Sequence, residues 1–235
     1  MMLFFDIDGT LLDHQTAEKA GVLGFLNQRG NFTTLPNDRF LQIWSDLTKK
    51  YYRLYLEGRF SFVEQRRARI REVYALTGHK ITDEEADAAF QDYLTHYKQA
   101  WVLYPDVVSC LTELGKTDLG IISNGNSRQQ EEKLQDTGIR DSFSVFVTSE
   151  DAGYAKPDKR IFLEACAQAN KEPCECVYVG DSLDTDYVGS TSAGMIGIWL
   201  NRGGRPIASG AHISVIENLF RLPRFLEQLG PQFCS

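Results

Sequence analysis

The chain has 235 residues, 43% of them hydrophobic, with a formal net charge of −7 and an isoelectric point of about 5.2. That length suits one large domain or two small ones with a real core, and the acidic balance gives no footprint for a nucleic-acid polymer. No stretch approaches the roughly 20 apolar residues of a membrane span, and the amino terminus lacks the basic start and long apolar run of a secretion signal, so the expected setting is the cytoplasm.

The first predicted element is a short buried strand, Leu3 to Phe5, which runs directly into Asp6-Ile7-Asp8-Gly9-Thr10. Two carboxylates two residues apart at a buried strand end repel each other and resist desolvation. A hard cation held by oxygen ligands, such as Mg²⁺, is the usual compensation. The plainer reading of the same letters is a turn at Asp-Gly.

From His14 to Ala100 no strand is predicted. Apolar and aromatic residues recur at helical spacing, as in Val22, Leu23, Phe25 and Leu26, then Phe40, Leu41, Trp44, Leu47 and Tyr51. Thr82 opens another helix with a capping-box order ending at Glu85. The block reads as an all-helical unit of four or five helices, its aromatics mostly core. The run Arg66 to Arg71 reads as a solvated helix face paired with Glu64 and Glu72, the alternative being a site for an anionic group of the substrate.

After Tyr104 helices and strands alternate. Tyr104-Pro105-Asp106 opens a helix through Val107, Val108, Leu111 and Leu114; strand Leu119–Ile122 follows, ending at Ser123-Asn124-Gly125, and then a polar helix, Arg128–Asp136. Strand Val145–Val147 comes next, then Lys156-Pro157 ahead of a helix carrying Ile161 and Phe162. Strand Cys176–Val179 ends at Gly180-Asp181-Ser182, and a helix with Val188 and Ala193 leads to strand Met195–Leu200. The tail from Val215 to Leu229 reads as mostly helical, broken near Pro223. Such alternation predicts a doubly wound parallel α/β sheet with helices on both faces, and ligands in such sheets bind beyond the carboxyl ends of the strands. The five cysteines, an odd count in a chain of this size, argue for free thiols against a disulfide framework or zinc site. His14, His79, His96 and His212 show no ligand spacing.

Three strand ends therefore carry polar clusters: Asp6 and Asp8, Ser123 and Asn124, Asp181 and Asp186. Together with Lys156-Pro157, and in this order, they resemble the four motifs of the haloacid dehalogenase superfamily. The resemblance covers the whole chain. The helical insert is similar to the cap that one subfamily, which includes phosphoglycolate phosphatase and 5′-nucleotidase types, carries between its first two motifs. The implied organisation is a Rossmann-like α/β core formed by residues 1–13 and 101–235, with a helical cap of residues 14–100. The resemblance implies that Asp6 is the nucleophile, forming an aspartyl-phosphate, and that Asp8 is first the general acid and then the base. It implies Mg²⁺ held by Asp6, the Asp8 backbone carbonyl and Asp181. Ser123, Asn124 and Lys156 would bind the phosphoryl group, Asp186 would orient metal-bound water or Lys156, and Thr10 would support the Asp8 loop. The expected activity is hydrolysis of a small-molecule phosphomonoester, a nucleoside 5′-monophosphate or sugar phosphate being the leading types. A dehalogenase, a phosphomutase and a non-catalytic phosphometabolite-binding protein are the alternatives on the same fold. Asp8 favours phosphoryl transfer, because a departing halide needs no proton. Monomer and homodimer are equally compatible with the sequence.

Overall fold

The computed structural model describes residues 1–30, 32–207 and 213–229. The chain divides into two compact units, Met1–Asp13 with Val102–Ser235, and His14–Trp101. The first is built on six strands: β1 (Met2–Phe5), β2 (Asp118–Ser123), β3 (Val145–Thr148), β4 (Cys176–Gly180), β5 (Ile196–Leu200) and β6 (Val215–Ile216). Their order is β3-β2-β1-β4-β5-β6 and every pairing is parallel. Residues Met2 to Phe5 are all buried, as the unbroken apolar run requires of a central strand covered on both faces. β1 lies between β2 and β4, with Phe5 opposite both Ile121 and Val179. The strand order reverses beside β1, which is where such sheets open a crevice at their carboxyl edge.

The second unit holds α1 (His14–Gln28), α2 (Asn37–Leu56), α3 (Phe62–Ala75) and α4 (Asp83–Gln99). α1 and α4 pack closely because α1 presents glycines to the contact. A Cβ on Gly24 would fall 2.2 Å from Cγ of His96, and one on Gly21 would fall 2.7 Å from the Tyr93 ring. Tyr93 stacks on Tyr97 with ring centroids 5.6 Å apart. The capping box at Thr82 and Glu85 forms as its letters predict, and a second closes the start of α3 at Ser61 and Glu64. The arginine run departs from expectation. Arg67 pairs with Asp83 and Asp87 of α4, Arg71 with Asp83, and Arg69 is buried beneath the Trp44, Phe90 and Tyr93 rings. Same-helix spacing pointed to Glu64 and Glu72, but the neighbouring helix offers better-placed partners.

The remaining helices are α5 (Val107–Leu114), α6 (Ser127–Asp136), α7 (Ser149–Ala152), α8 (Lys159–Gln168), α9 (Gly189–Ser192) and α10 (Leu222–Leu229). The helix expected after Asp181 begins as a π-helical segment, Leu183–Val188, before α9. The tail contains the two-residue strand β6, paired with Trp199 and Leu200 and too short to leave a periodic trace. Pro223 is the second residue of α10 rather than its break; in the first turn its missing N–H has no partner to lose. The strands of the chain that leave and re-enter the sheet unit are joined to each other. Asp13 N donates to Val102 O at 3.0 Å, Tyr104 N donates to Leu11 O at 3.0 Å, and Leu12 forms an antiparallel bridge with Leu103.

Cys110, Cys166 and Cys176 are free thiols, but Cys174 is disulfide-bonded. The expectation of free thiols is therefore overturned at Cys174, because an odd count argues against a framework of several bridges but not against a single one. Cys234 and His212 lie outside the described residues. No helix among the described residues is long and apolar enough to cross a membrane.

Candidate active site

The site assembles where β1, β2 and β4 end. Asp6 follows β1 directly, and its N–H donates to Val179 O at 3.0 Å, which carries the sheet ladder one residue further and fixes its Cα. Beyond it the chain turns over Ile7, whose carbonyl accepts from the N–H groups of Thr10, Leu11 and Leu12. Gly9 at the apex has φ +88°, a left-handed conformation that glycine adopts without strain. A Cβ there would also lie 2.6 Å from Asp181 Oδ2. Gly180 has the same role on β4, since a Cβ would lie 2.4 Å from Asp186 Cγ.

These close approaches gather Asp6, Asp181 and Asp186, each offering a carboxylate oxygen within 4.8 Å of the others. One cation of the protein lies among them. Lys156 Nζ donates to Asp6 Oδ1 at 2.7 Å, to Asp186 Oδ1 at 2.8 Å and to Tyr178 Oη at 2.7 Å. All three ammonium hydrogens are thus used inside the protein. Burial opposes the charge on Lys156, but Asp186 and Asp6 together outweigh it and raise its pKa. Burial pushes Asp6 up to about 7, against the pull of Lys156 and with a further push from Asp186 and Asp181. Burial, and then the Asp186 charge, raises Asp181 to about 6. One lysine is too little charge for three carboxylates.

The donor set fits a hard divalent cation on three counts. It is all oxygen, the two glycines keep side-chain atoms out of the space beside Asp181 and Asp186, and the Asp181 carboxylate accepts no hydrogen bond from any described residue. Asp186 by contrast is well anchored, with Oδ1 on Lys156 and Tyr178 and Oδ2 on Ser182 N at 2.9 Å.

Asp8 stands apart from that cluster. Its carboxylate is met by Lys133 Nζ at 2.7 and 2.6 Å and by Gln130 Nε2 at 3.0 Å. Gln130 also donates to Ser123 Oγ at 2.7 Å, and Ser123 Oγ approaches Asp6 Oδ1 at 3.4 Å. Thr10 Oγ1 makes a similarly long contact with Asp6 Oδ2, at 3.4 Å, so its side chain serves the Asp6 carboxylate. The Asn124 side chain clamps the segment that bears Lys156: its Nδ2 donates to Lys156 O at 3.1 Å and its Oδ1 accepts from Lys156 N at 2.8 Å. The Lys156-Pro157 peptide is cis. Of the residues expected from sequence, Asp6, Ser123, Lys156, Asp181, Asp186 and Thr10 therefore converge. Asp8 joins them through Gln130, and the Asn124 amide faces Lys156's backbone.

Three residues of the site were not foreseen: Gln130, Lys133 and Tyr178. Gln130 and Lys133 sit on α6, whose sequence SRQQEEKLQD is almost wholly polar and reads as a solvent-facing helix. The available signal is Leu134, since Gln130, Lys133 and Leu134 stand at i, i+3 and i+4, the spacing of a single buried stripe. Tyr178 is a buried strand residue indistinguishable by sequence from its apolar neighbours. Its hydroxyl lies 3.0 Å from Ile122 O.

Known proteins resemble this chain to differing extents. The pyrimidine 5′-nucleotidase YjjG of Escherichia coli (strain K12) is 38% identical over 125 residues, 52% of this chain, and the match spans only 56% of YjjG, a little over half its length. The mouse (Mus musculus) N-acylneuraminate-9-phosphatase is 27% identical over 239 residues, covering 97% of this chain and 94% of that protein. Among solved structures, the magnesium-bound HAD-hydrolase YfnB of Bacillus subtilis superposes with a TM-score of 0.81 at 26% identity, covering 96% of this chain and 98% of that one. The family profile described as haloacid dehalogenase-like hydrolase matches residues 1–194. By that match, and by a sheet whose strand ends bring the four sequence motifs to one edge, the chain belongs to the haloacid dehalogenase-like hydrolases.

Proposed function

We propose that this protein is a Mg²⁺-dependent phosphatase that hydrolyses a small phosphorylated metabolite through an aspartyl-phosphate on Asp6. The observation that carries the reading is the division of labour between two carboxylates two residues apart. Asp6 lies in a cluster that needs added positive charge, while Asp8 is held outside it by Lys133 and Gln130. Asp6, Asp181 and the Asp8 backbone carbonyl would hold the ion, with Asp186 securing Lys156 beside them. When bound, Mg²⁺ supplies charge neutralisation for the acids and the phosphoryl oxygens.

A carboxylate oxygen of Asp6 attacks phosphorus, and the bond from phosphorus to the substrate alcohol breaks. Asp8 gives its proton to the departing oxygen. In the second half Asp8, now a base, takes a proton from water as that water attacks phosphorus, and the bond to Asp6 breaks to release phosphate. Lys156 holds Asp6 in line, and Ser123 is within reach to donate to the phosphoryl group. Asn124 acts in this scheme by fixing the Lys156 segment, with its own backbone N–H left as the group that meets phosphate.

The helical unit is proposed to be the cap that selects the alcohol. The nucleotidase and sugar-phosphate phosphatase names of the relatives support a nucleoside 5′-monophosphate or sugar phosphate as the substrate type, handled in the cytoplasm. Phosphate release from a metabolite monophosphate panel, with Mg²⁺ and then with excess chelator, tests the reading. Turnover that survives both chelation and Asp6→Asn would remove it. Chloride release from 2-chloropropionate without phosphate release would put a dehalogenase in its place.

A further inference from the structure

Lys133 and Gln130 transfer no group in the reaction just proposed, yet each is only 3% exposed. A buried ammonium is costly unless a counter-charge is well placed, and a packing role on α6 would be met by an apolar side chain. What the two residues share is Asp8. Lys133 Nζ reaches both carboxylate oxygens, and the Gln130 amide bridges Asp8 Oδ2 to Ser123 Oγ, which in turn approaches Asp6. The two buried lysines of the site thus divide its carboxylates, Lys156 taking Asp6 and Asp186 and Lys133 taking Asp8.

We infer that Lys133 and Gln130 are positioning residues for the proton-transferring Asp8. They keep its carboxylate out of the Asp6–Asp181–Asp186 cluster, so that it is not captured as a further metal ligand, and through Ser123 they tie its orientation to that of the nucleophile. The inference rests on the phosphatase reading. Its consequence is specific to proton delivery. A leaving group that departs readily as an anion has little use for Asp8, whereas a more basic one depends on it.

The test measures kcat/KM, which covers the steps up to departure of the alcohol, for p-nitrophenyl phosphate and for phenyl phosphate. Lys133→Met and Gln130→Ala should each lose about tenfold more on phenyl phosphate than on p-nitrophenyl phosphate, a share of the roughly 10²–10⁴-fold that general acid catalysis provides. Lys133→Arg should recover most of the difference. A crystal structure of metal-free Lys133→Met should show the Asp8 carboxylate moved off the α6 face. Equal losses on the two substrates, or an Asp8 that stays in place, overturn the inference while leaving the phosphatase reading intact. A wild-type protein that hydrolyses no phosphomonoester overturns both. If Lys133→Met does not fold, Gln130→Ala, which removes no charge, carries the same comparison.

Discussion

Replacing Lys156 by Met removes the one ammonium that the three clustered carboxylates share. Its Nζ lies 2.7 Å from Asp6 and 2.8 Å from Asp186, with side-chain exposures of 3%, 8% and 3% for the three residues. Solvent therefore cannot replace it. Deleting one partner of a buried ion pair costs about 3–5 kcal/mol, which at roughly 2–4 °C per kcal/mol for a chain of this size lowers the melting temperature by about 6–20 °C. The loss should depend on pH and on cation. Asp6 and Asp181 titrate near 7 and near 6 in the folded chain, against an ordinary 3.8. The folded state thus holds more protons than the unfolded one across that window, and metal-free stability falls as pH rises from about 4 to about 7. Without Lys156 the fall should steepen, because its attraction for the ionised acids is gone. Melting curves of wild type and Lys156→Met at pH 5 and pH 8, each with chelator and with Mg²⁺, give the needed comparison. The variant should be furthest below wild type at pH 8 in chelator and closest at pH 5 or with Mg²⁺. A variant within about 1 kcal/mol of wild type at pH 8 in chelator, well short of the expected cost of breaking such a pair, would refute the reasoning.

Other outcomes follow from the same geometry. Asp6→Asn should reduce phosphate release by at least about 10³-fold, because an amide is a poor nucleophile; it should also melt higher than wild type in chelator at pH 8, having lost one of the mutually repelling charges. Gly9→Ala must place a methyl group against the Asp181 carboxylate and hold φ near +88°. It should weaken Mg²⁺ binding by calorimetry, and unchanged affinity would show that the Gly9 cradle is not part of the metal site. Arg67→Ala removes a surface link from α3 to Asp83 and Asp87 of α4. At about 1 kcal/mol or less for such partly exposed pairs, it should leave urea midpoints nearly unmoved.

Which features the sequence revealed depended on whether the information was local. Asp6, Asp8 and Asp181 were legible because acids at the ends of apolar runs contradict burial, and the contradiction can be seen within a few letters; Asp186, six positions past the end of β4, drew notice only beside Asp181. Five of the six strands were legible for a similar reason, each being a mainly apolar run that ends at turn residues. Lys133 and Gln130 were not. Their meaning comes from Asp8, 125 positions away from Lys133, and a polar helix with one buried side looks solvated until its neighbour is known. The arginines of α3 misled in the opposite sense, since same-helix partners are visible in the letters and cross-helix partners are not. β6 escaped because two residues carry no period, and its register is set by β5.

The hydrogen bonds between Asp13 and Val102 and between Leu11 and Tyr104 also bear on how such a protein can change. The two points where the helical unit leaves and rejoins the chain are already stitched together, so the sheet unit is closed at that seam whatever lies between them. The segment from His14 to Trp101 is thus an exchangeable cassette, as domain insertions with adjacent termini tend to be. Joining residue 13 to residue 102 through a short turn should leave a foldable sheet that keeps every carboxylate and lysine described above. If the helical unit is the cap proposed above, substrate preference would change with one contiguous block of the gene, while the carboxylates and lysines of the sheet unit stay untouched.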